Sequence, residues 1–395
     1  MFIGGAAAAA AVGVSAFAVL RSANGLFRAD AEPTRTADMR RTATGEPHPS
    51  DRPSPSISDG PGGVPSGGPS GAAEPLGTVV REPVALGERE PTALGAGGGT
   101  VVCGTGTGEV FVWTPGAQVV RIGDGGGRVT SVAVGDVDGR AVVVCGHGDG
   151  RMRLWSLTGE SLASHRAADP IRAVAVAGGR AIAVSEKYDL VRDLHSVVRL
   201  WDVSTGKQFG PAIDDHFQGL HGLAFGTLDG EEVLVTGDGA ERVRVRRLST
   251  GRTAHTFRTG DIGGIELLAC GEVDGRPVLV STHLDATLRV HDLATGRRGK
   301  SRRFSTRSPD DRGATALATG RLGDVPIAAV AHTPDGGPAT VRVWNLRTGD
   351  VLGEPGRGAG GEIRTLALAE LDGRPVVAGA DDEGTLRVWS LGPAA

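Results

Sequence analysis

Gly150-Arg151-Met152-Arg153-Leu154-Trp155 is the stretch on which the fold turns. It returns as Gly108-Glu109-Val110-Phe111-Val112-Trp113, as Val197-Val198-Arg199-Leu200-Trp201-Asp202 and as Val243-Arg244-Val245-Arg246. Three more copies follow: Leu288-Arg289-Val290-His291-Asp292, Val341-Arg342-Val343-Trp344-Asn345 and Leu386-Arg387-Val388-Trp389. The marker positions are 113, 155, 201, 246, 291, 344 and 389, spaced by 42, 46, 45, 45, 53 and 45 residues. All five tryptophans of the chain (Trp113, Trp155, Trp201, Trp344, Trp389) stand in this one register. Such a period belongs to repeat architectures, in which each unit buries its apolar face against its neighbours.

Within each unit apolar and polar residues alternate at period two, the spacing of strands. A strand precedes each of the last six markers: Ala141–Cys145, Ala181–Val184, Val233–Thr236, Val278–Ser281, Ile327–Val330 and Val376–Gly379. An earlier one precedes it: Val129–Val134, Ile171–Val176, Leu220–Phe225, Ile265–Cys270, Ala314–Thr319 and Ile363–Leu368. Between the two lie Asp138-Gly139, Asp229-Gly230, Asp274-Gly275 and Asp372-Gly373. Asp-Gly supplies the positive φ angles of a tight hairpin. Pro277, Pro326 and Pro375 open their strands, where a missing N–H is tolerated. Thr-Gly turns at Thr158, Thr205, Thr250, Thr295 and Thr348 lead to a short outer strand.

Four strands per unit with the dipeptide Trp201-Asp202, and the near matches Trp344-Asn345 and His291-Asp292, resemble the WD40 repeat family of β-propellers. The resemblance covers residues 77–395 and implies an all-β, seven-bladed WD40-like β-propeller. Arg246-Arg247 departs from the dipeptide. The Gly-His dipeptide of the family is mostly missing, so its Asp-His-Ser/Thr-Trp hydrogen-bond network is not expected here. The seventh unit ends too near Ala395 for a fourth strand of its own. Thr78-Val79-Val80-Arg81 is expected to supply it and remove the open sheet edge.

The chain has 395 residues, among them 64 glycines and 22 prolines, and a net charge of −4. So much glycine argues against long helices, and the charge gives no reason to expect a nucleic-acid partner. Three cysteines (Cys103, Cys145, Cys270) form no disulfide framework and no Cys-x-x-Cys metal pair; Cys103 and Cys145 read as small buried hydrophobes. Ahead of the repeats, residues 1–31 hold an uncharged stretch, Met1–Leu20, that resembles the apolar part of a twin-arginine export signal or a membrane anchor, its start displaced. Residues 2–20 would then tether the chain and place the propeller outside the cytoplasm. Arg21 and Arg28 keep a cytoplasmic alternative open. From Pro49 to Gly71, 18 of 23 residues are proline, serine or glycine, so residues 32–76 read as a disordered linker.

The sequence offers no Gly-x-Ser-x-Gly elbow, no complete phosphate loop and no calcium-loop spacing. No catalytic residue, metal or cofactor is therefore expected. What remains is surface. In WD40 propellers the loops before the first strand and between the second and third share one face, and here those loops are irregular. Ser185–Ser196 is an enlarged loop with Tyr188, the single tyrosine; Arg303–Gly313 and His332–Ala339 are further expansions. Thr92, Thr130, Arg172, His221, Glu266, Thr315 and Arg364 take the second position of each first strand and should ring the channel mouth. A partner-binding face is expected at Arg172, Tyr188, His221, Glu266, Thr315 and Arg364, on a monomeric, non-catalytic scaffold or sensor for a protein partner. The alternatives are a propeller enzyme with its site at the mouth (His221, Glu266, Arg364), or the sensor part of a truncated membrane receptor kinase. Arg297, Arg298, Lys300, Arg302, Arg303 and Arg307 form a basic run that guards an edge strand, or else attracts anionic polymers or lipid headgroups.

Overall fold

The computed structural model describes residues 75–392, apart from 81, 87–88, 115–117, 124, 190–194, 217–218, 261–263, 305–312, 335–336 and 358–359. The expected export segment, the linker up to Glu74 and Arg307 lie outside the described residues. The described chain is all β, in seven antiparallel four-stranded sheets.

In order from the inner to the outer strand, blade 1 is Pro91–Gly97, Thr100–Thr105, Val110–Trp113 and Val120–Arg121, and blade 2 is Val129–Val137, Arg140–His147, Arg151–Ser156 and Ser161–Arg166. Blade 3 is Ile171–Ala177, Arg180–Asp189, His195–Asp202 and Lys207–His216, and blade 4 is Leu220–Leu228, Glu231–Asp238, Arg242–Arg247 and Thr253–Arg258. Blade 5 is Ile265–Val273, Arg276–His283, Thr287–Asp292 and Arg298–Arg303, and blade 6 is Ala314–Leu322, Val325–His332, Thr340–Asn345 and Val351–Gly353. Blade 7 takes Ile363–Leu371, Arg374–Asp381 and Thr385–Ser390 from the end of the chain and Val84–Ala85 from its beginning.

The inner strands of blades 2 to 7 begin at the residues that the alternation marks. The hairpins behind them are turns of two left-handed residues: Asp138 and Gly139 have φ of 53° and 77°, and Asp274 and Gly275 have 49° and 74°. Pro277, Pro326 and Pro375 stand second in their strands, and their carbonyls accept the N–H of Leu293, Leu346 and Leu391 just past the third strand. Thr78–Val80 pair with blade 7 as expected, the Ser390 N–H donating to Thr78 O at 2.8 Å and the Val80 N–H to Val388 O at 2.9 Å, and the closing edge runs on to Val84–Ala85. Val79 bridges to Trp389, and the strand register is Val84 with Leu386 and Ala85 with Thr385. Pro83, which has no N–H to give, separates the two stretches. Ser185–Ser196 is not a loop throughout. Ser185 to Asp189 pair with Arg199 to His195, so the blade's second and third strands run on as a ribbon.

The core consists of seven apolar clusters, one in each gap between successive blades. The cluster between blades 7 and 1 joins Ala378, Leu386 and Val388 to Leu94, Val101 and Trp113, so the ring is shut by the same packing as every other gap. Each marker side chain fills the wedge against the preceding blade: Trp155 toward blade 1, Trp344 toward blade 5, Trp389 toward blade 6. Where tryptophan is missing the replacement still reaches back. His291 lies 5.6 Å from the Phe257 ring of blade 4, and Arg246 donates to Asp215 of blade 3. The blades approach closely at Gly146, where an added Cβ would stand 2.4 Å from the Ile171 side chain of the next blade.

Candidate functional site

The inner strands all start on one face, and their first residues set its centre. A cavity of about 150 Å³ opens there over blades 1, 2, 6 and 7. Thr92, Thr130, Thr315 and Thr365 line its wall, Ala93, Leu94, Val132 and Ala316 give it apolar surface, and Glu90, Arg128, Glu362 and Arg364 bring the charges. The two arginines face acids. Arg128 holds Glu90 with both terminal nitrogens, at 3.0 and 3.3 Å, and Arg364 lies 3.2 Å from Glu362 and 3.6 Å from Asp382. Arg128, through its hydrogen bond and its charge, outweighs burial and keeps the Glu90 carboxyl below the ordinary carboxylate range; Arg364 adds to the effect. This carboxyl stays ionised near neutrality, which suits recognition of charged groups better than proton transfer.

The seven second-position residues sit on the inner strands as the register requires, and most are engaged within the fold. The Thr92 hydroxyl donates to Val129 O at 2.6 Å, Thr130 to Ile171 O at 2.7 Å and Thr315 to Ile363 O at 2.6 Å. In every case the acceptor is the first inner-strand residue of the next blade. Glu266 does the same work with opposite polarity, accepting the Ala314 N–H at 3.2 Å. Arg172 pairs with Glu186 of its own blade at 3.0 Å, and Glu186 also accepts the Leu220 N–H of blade 4 at 3.3 Å. Among the six residues expected to form the binding face, Thr315 and Arg364 line the cavity. Arg172, His221, Glu266 and Tyr188 lie on blades 3, 4 and 5, outside its lining; Tyr188 is on the ribbon, paired with Ser196. The Thr365 hydroxyl also lines the cavity, 6% exposed, and has no hydrogen-bond partner.

One series of residues escapes the sequence reading. Two places before the marker stand Arg153, Arg199, Arg244, Arg289, Arg342 and Arg387. Arg199 meets Asp169 at 2.7 Å, Arg244 meets Asp238 at 2.7 Å, Arg289 meets Asp285 at 2.6 Å, and Arg387 binds Asp381. Arg342 pairs with Glu354 and donates to Phe304 O at 2.7 Å, while Arg153 lies over the Trp155 ring. The arginine recurs at the period of the tryptophan, and that recurrence was the available signal. Asp238 and Asp381 end the second strands of their blades, each six places before its arginine, whereas Asp169, Asp285 and Glu354 stand at unequal spacings that do not announce the pairing.

Fragments of the hydrogen-bond network that the sequence did not promise are present. Trp201 donates to Ser185 at 2.9 Å, and His216 meets Thr236 at 2.8 Å with Arg246 in the marker's place. The indole nitrogens of Trp155 and Trp344 have no partner. The three cysteines are buried and burial pushes each thiol up to about 12, as befits small core residues. Among the described residues no group of three or more His, Cys, Asp or Glu side chains is placed to hold a metal ion, and no helix is long and apolar enough to cross a membrane.

No protein-family model matches the chain, and no curated protein does. Among solved structures, the crystal structure of the computationally designed Ika8 protein is similar, with a TM-score of 0.51 and 23% identity over 78% of this chain and 98% of that one. The likeness shows the fold alone. The protein is a seven-bladed β-propeller.

Proposed function

We propose that the chain is a WD40-like, non-catalytic interaction scaffold that holds a protein partner on the face where its inner strands begin. The carrying observation is the fixed pattern of paired charges at the mouth, Arg128 with Glu90 and Arg364 with Glu362 and Asp382, around a small cavity with a spare Thr365 hydroxyl. Charges already held by ion pairs match a partner's surface with less ordering cost. Leu284, 65% exposed in the turn after the second strand of blade 5, and Tyr188 on the ribbon of blade 3 add apolar anchors to the same face. The shared tryptophan register and the Trp201–Ser185 bond support the WD40 likeness. An extracytoplasmic location, with residues 2–20 as tether, rests on the uncharged Met1–Leu20 stretch.

The test is crosslinking capture of partners from the source cell, followed by a binding measurement on the partner identified. Replacing Tyr188 and Arg364 together with alanine should weaken that complex at least tenfold. Undiminished binding overturns the assignment of this face. Turnover of an ester, lactone or glycan by the purified chain, abolished by Arg364→Ala, overturns the non-catalytic reading.

A further inference from the structure

On the opposite face, where the Asp-Gly and Thr-Gly turns gather, a groove of about 730 Å³ runs along blade 5 to Leu346 of blade 6. Val273, Val278, Val290 and Leu346 give it an apolar floor. Arg276, Arg297, Arg298 and Lys300 stand around it with two acids, Asp274 and Asp292. Both acids feel the Arg276 charge, but their hydrogen bonds and ion pairs go to other groups. Asp274 pairs with Arg347 at 2.6 Å, and Asp292 accepts the Thr295 N–H at 2.8 Å and the Thr295 hydroxyl at 2.7 Å.

A basic run that only guarded an edge would point its charges into water. Here Lys300 donates to Thr348 O at 2.6 Å and Arg302 to Gly349 O at 2.8 Å, fastening the outer strand of blade 5 to the turn of blade 6. Of these residues Lys300 lines the groove. Arg276, Arg297 and Arg298, by contrast, make no side-chain hydrogen bond or ion pair with any described residue. They stand on two sides, Arg276 at the start of the second strand and Arg297 and Arg298 at the start of the outer strand, with Val290 of the third strand between.

We propose that this groove binds a small organic bisphosphate. One phosphate sits on Arg276 and the other on Arg297 and Arg298, with the carbon skeleton over Val278, Val290 and Leu346. Guanidinium forks match phosphate oxygens in pairs, and the groove falls in the volume range of small-molecule sites, about 300–1,000 Å³. The proposal does not depend on the mouth being the partner face.

The experiment is calorimetric titration of the full chain with fructose 1,6-bisphosphate, with inorganic phosphate and fructose as comparison probes. Saturable bisphosphate binding is expected, tighter than that of inorganic phosphate, with no binding of fructose. Arg276→Ala and the pair Arg297→Ala/Arg298→Ala should each weaken it at least tenfold, and Arg128→Ala at the mouth should leave it unchanged. All three arginines are exposed and make no side-chain hydrogen bond or ion pair with a described residue, so thermal melts of these variants should stay close to that of the parent. The proposal is overturned by no saturable binding, by equal affinity in the groove variants, or by inorganic phosphate binding as tightly as the bisphosphate.

Discussion

Arg244 reaches Asp238 at 2.7 Å across its own blade, and both side chains are removed from water. Asp238 has 0% exposure and uses its other oxygen to accept the Ala240 and Arg242 N–H groups, each at 3.0 Å. Removing the cation leaves a buried carboxylate without its counter-charge. Arg244→Met should cost about 3–5 kcal/mol in urea unfolding. Arg244→Met with Asp238→Asn should recover a large part, since Asp215, which Arg244 also holds, keeps Arg246 and no charge is then stranded. A loss below 1 kcal/mol in the single variant would contradict this account.

The threonine ties act between blades, so their effect should appear in stability and leave each strand intact. Thr130→Val keeps the shape and removes the donor to Ile171 O. The expected loss is about 1 kcal/mol by chemical denaturation, and Thr130→Val with Thr315→Val should roughly double it because the two gaps are separate. A crystal structure of the double variant should show the inner strands unmoved.

Two histidines make the ring sensitive to acid. Burial, and then the Arg246 charge, lowers the His216 imidazole to about 4, and burial with Arg298 and Arg289 lowers His291 to about 4. Asp215 and Asp238 face His216 and oppose the shift in part. In the unfolded chain both rings return to the ordinary 6.5. Between those values the unfolded state binds more protons, so stability rises with pH through the window. It is fully present above about 6.5 and lost as the pH falls toward 4. Urea midpoints at pH 7 and pH 5 should show the drop, and His291→Phe should reduce it.

Ring closure predicts a sharp truncation boundary. A chain starting at Pro75 keeps the bridge from Val79 to Trp389 and the pairs of Val84 and Ala85, and should melt cooperatively. A chain starting at Glu90 leaves the edge of Thr385–Ser390 bare in blade 7. That chain should elute as aggregates in size-exclusion chromatography.

The repeat was legible because the register of Trp155 and its six counterparts is local and periodic, and so were the inner strands and the Asp138-Gly139 type of hairpin. Strand ends were less so. His147 and Asp381 look like turn residues but are paired and buried, which hydropathy alone does not reveal. Ser185–Ser196 reads as a loop because its polar residues break the apolar alternation, yet Ser185–Asp189 pair with His195–Arg199 and satisfy the backbone. At the mouth, position was readable and employment was not. Thr315 fell where it should, but only the approach of Ile363 from the next blade shows its hydroxyl in use.

The clasp between Val84–Ala85 and Thr385–Leu386 joins the first of the described strands to the last of them. During translation the first strand must wait, unmated, until nearly the whole propeller has emerged, so completion of the circle is necessarily a late folding event. Afterward the same clasp lies in the path of any pull exerted through the preceding residues. A mechanical load from that side would peel Gly77 and Thr78 from Ser390 first, then Val79 from Trp389 and Val84 from Leu386, before any other blade felt strain.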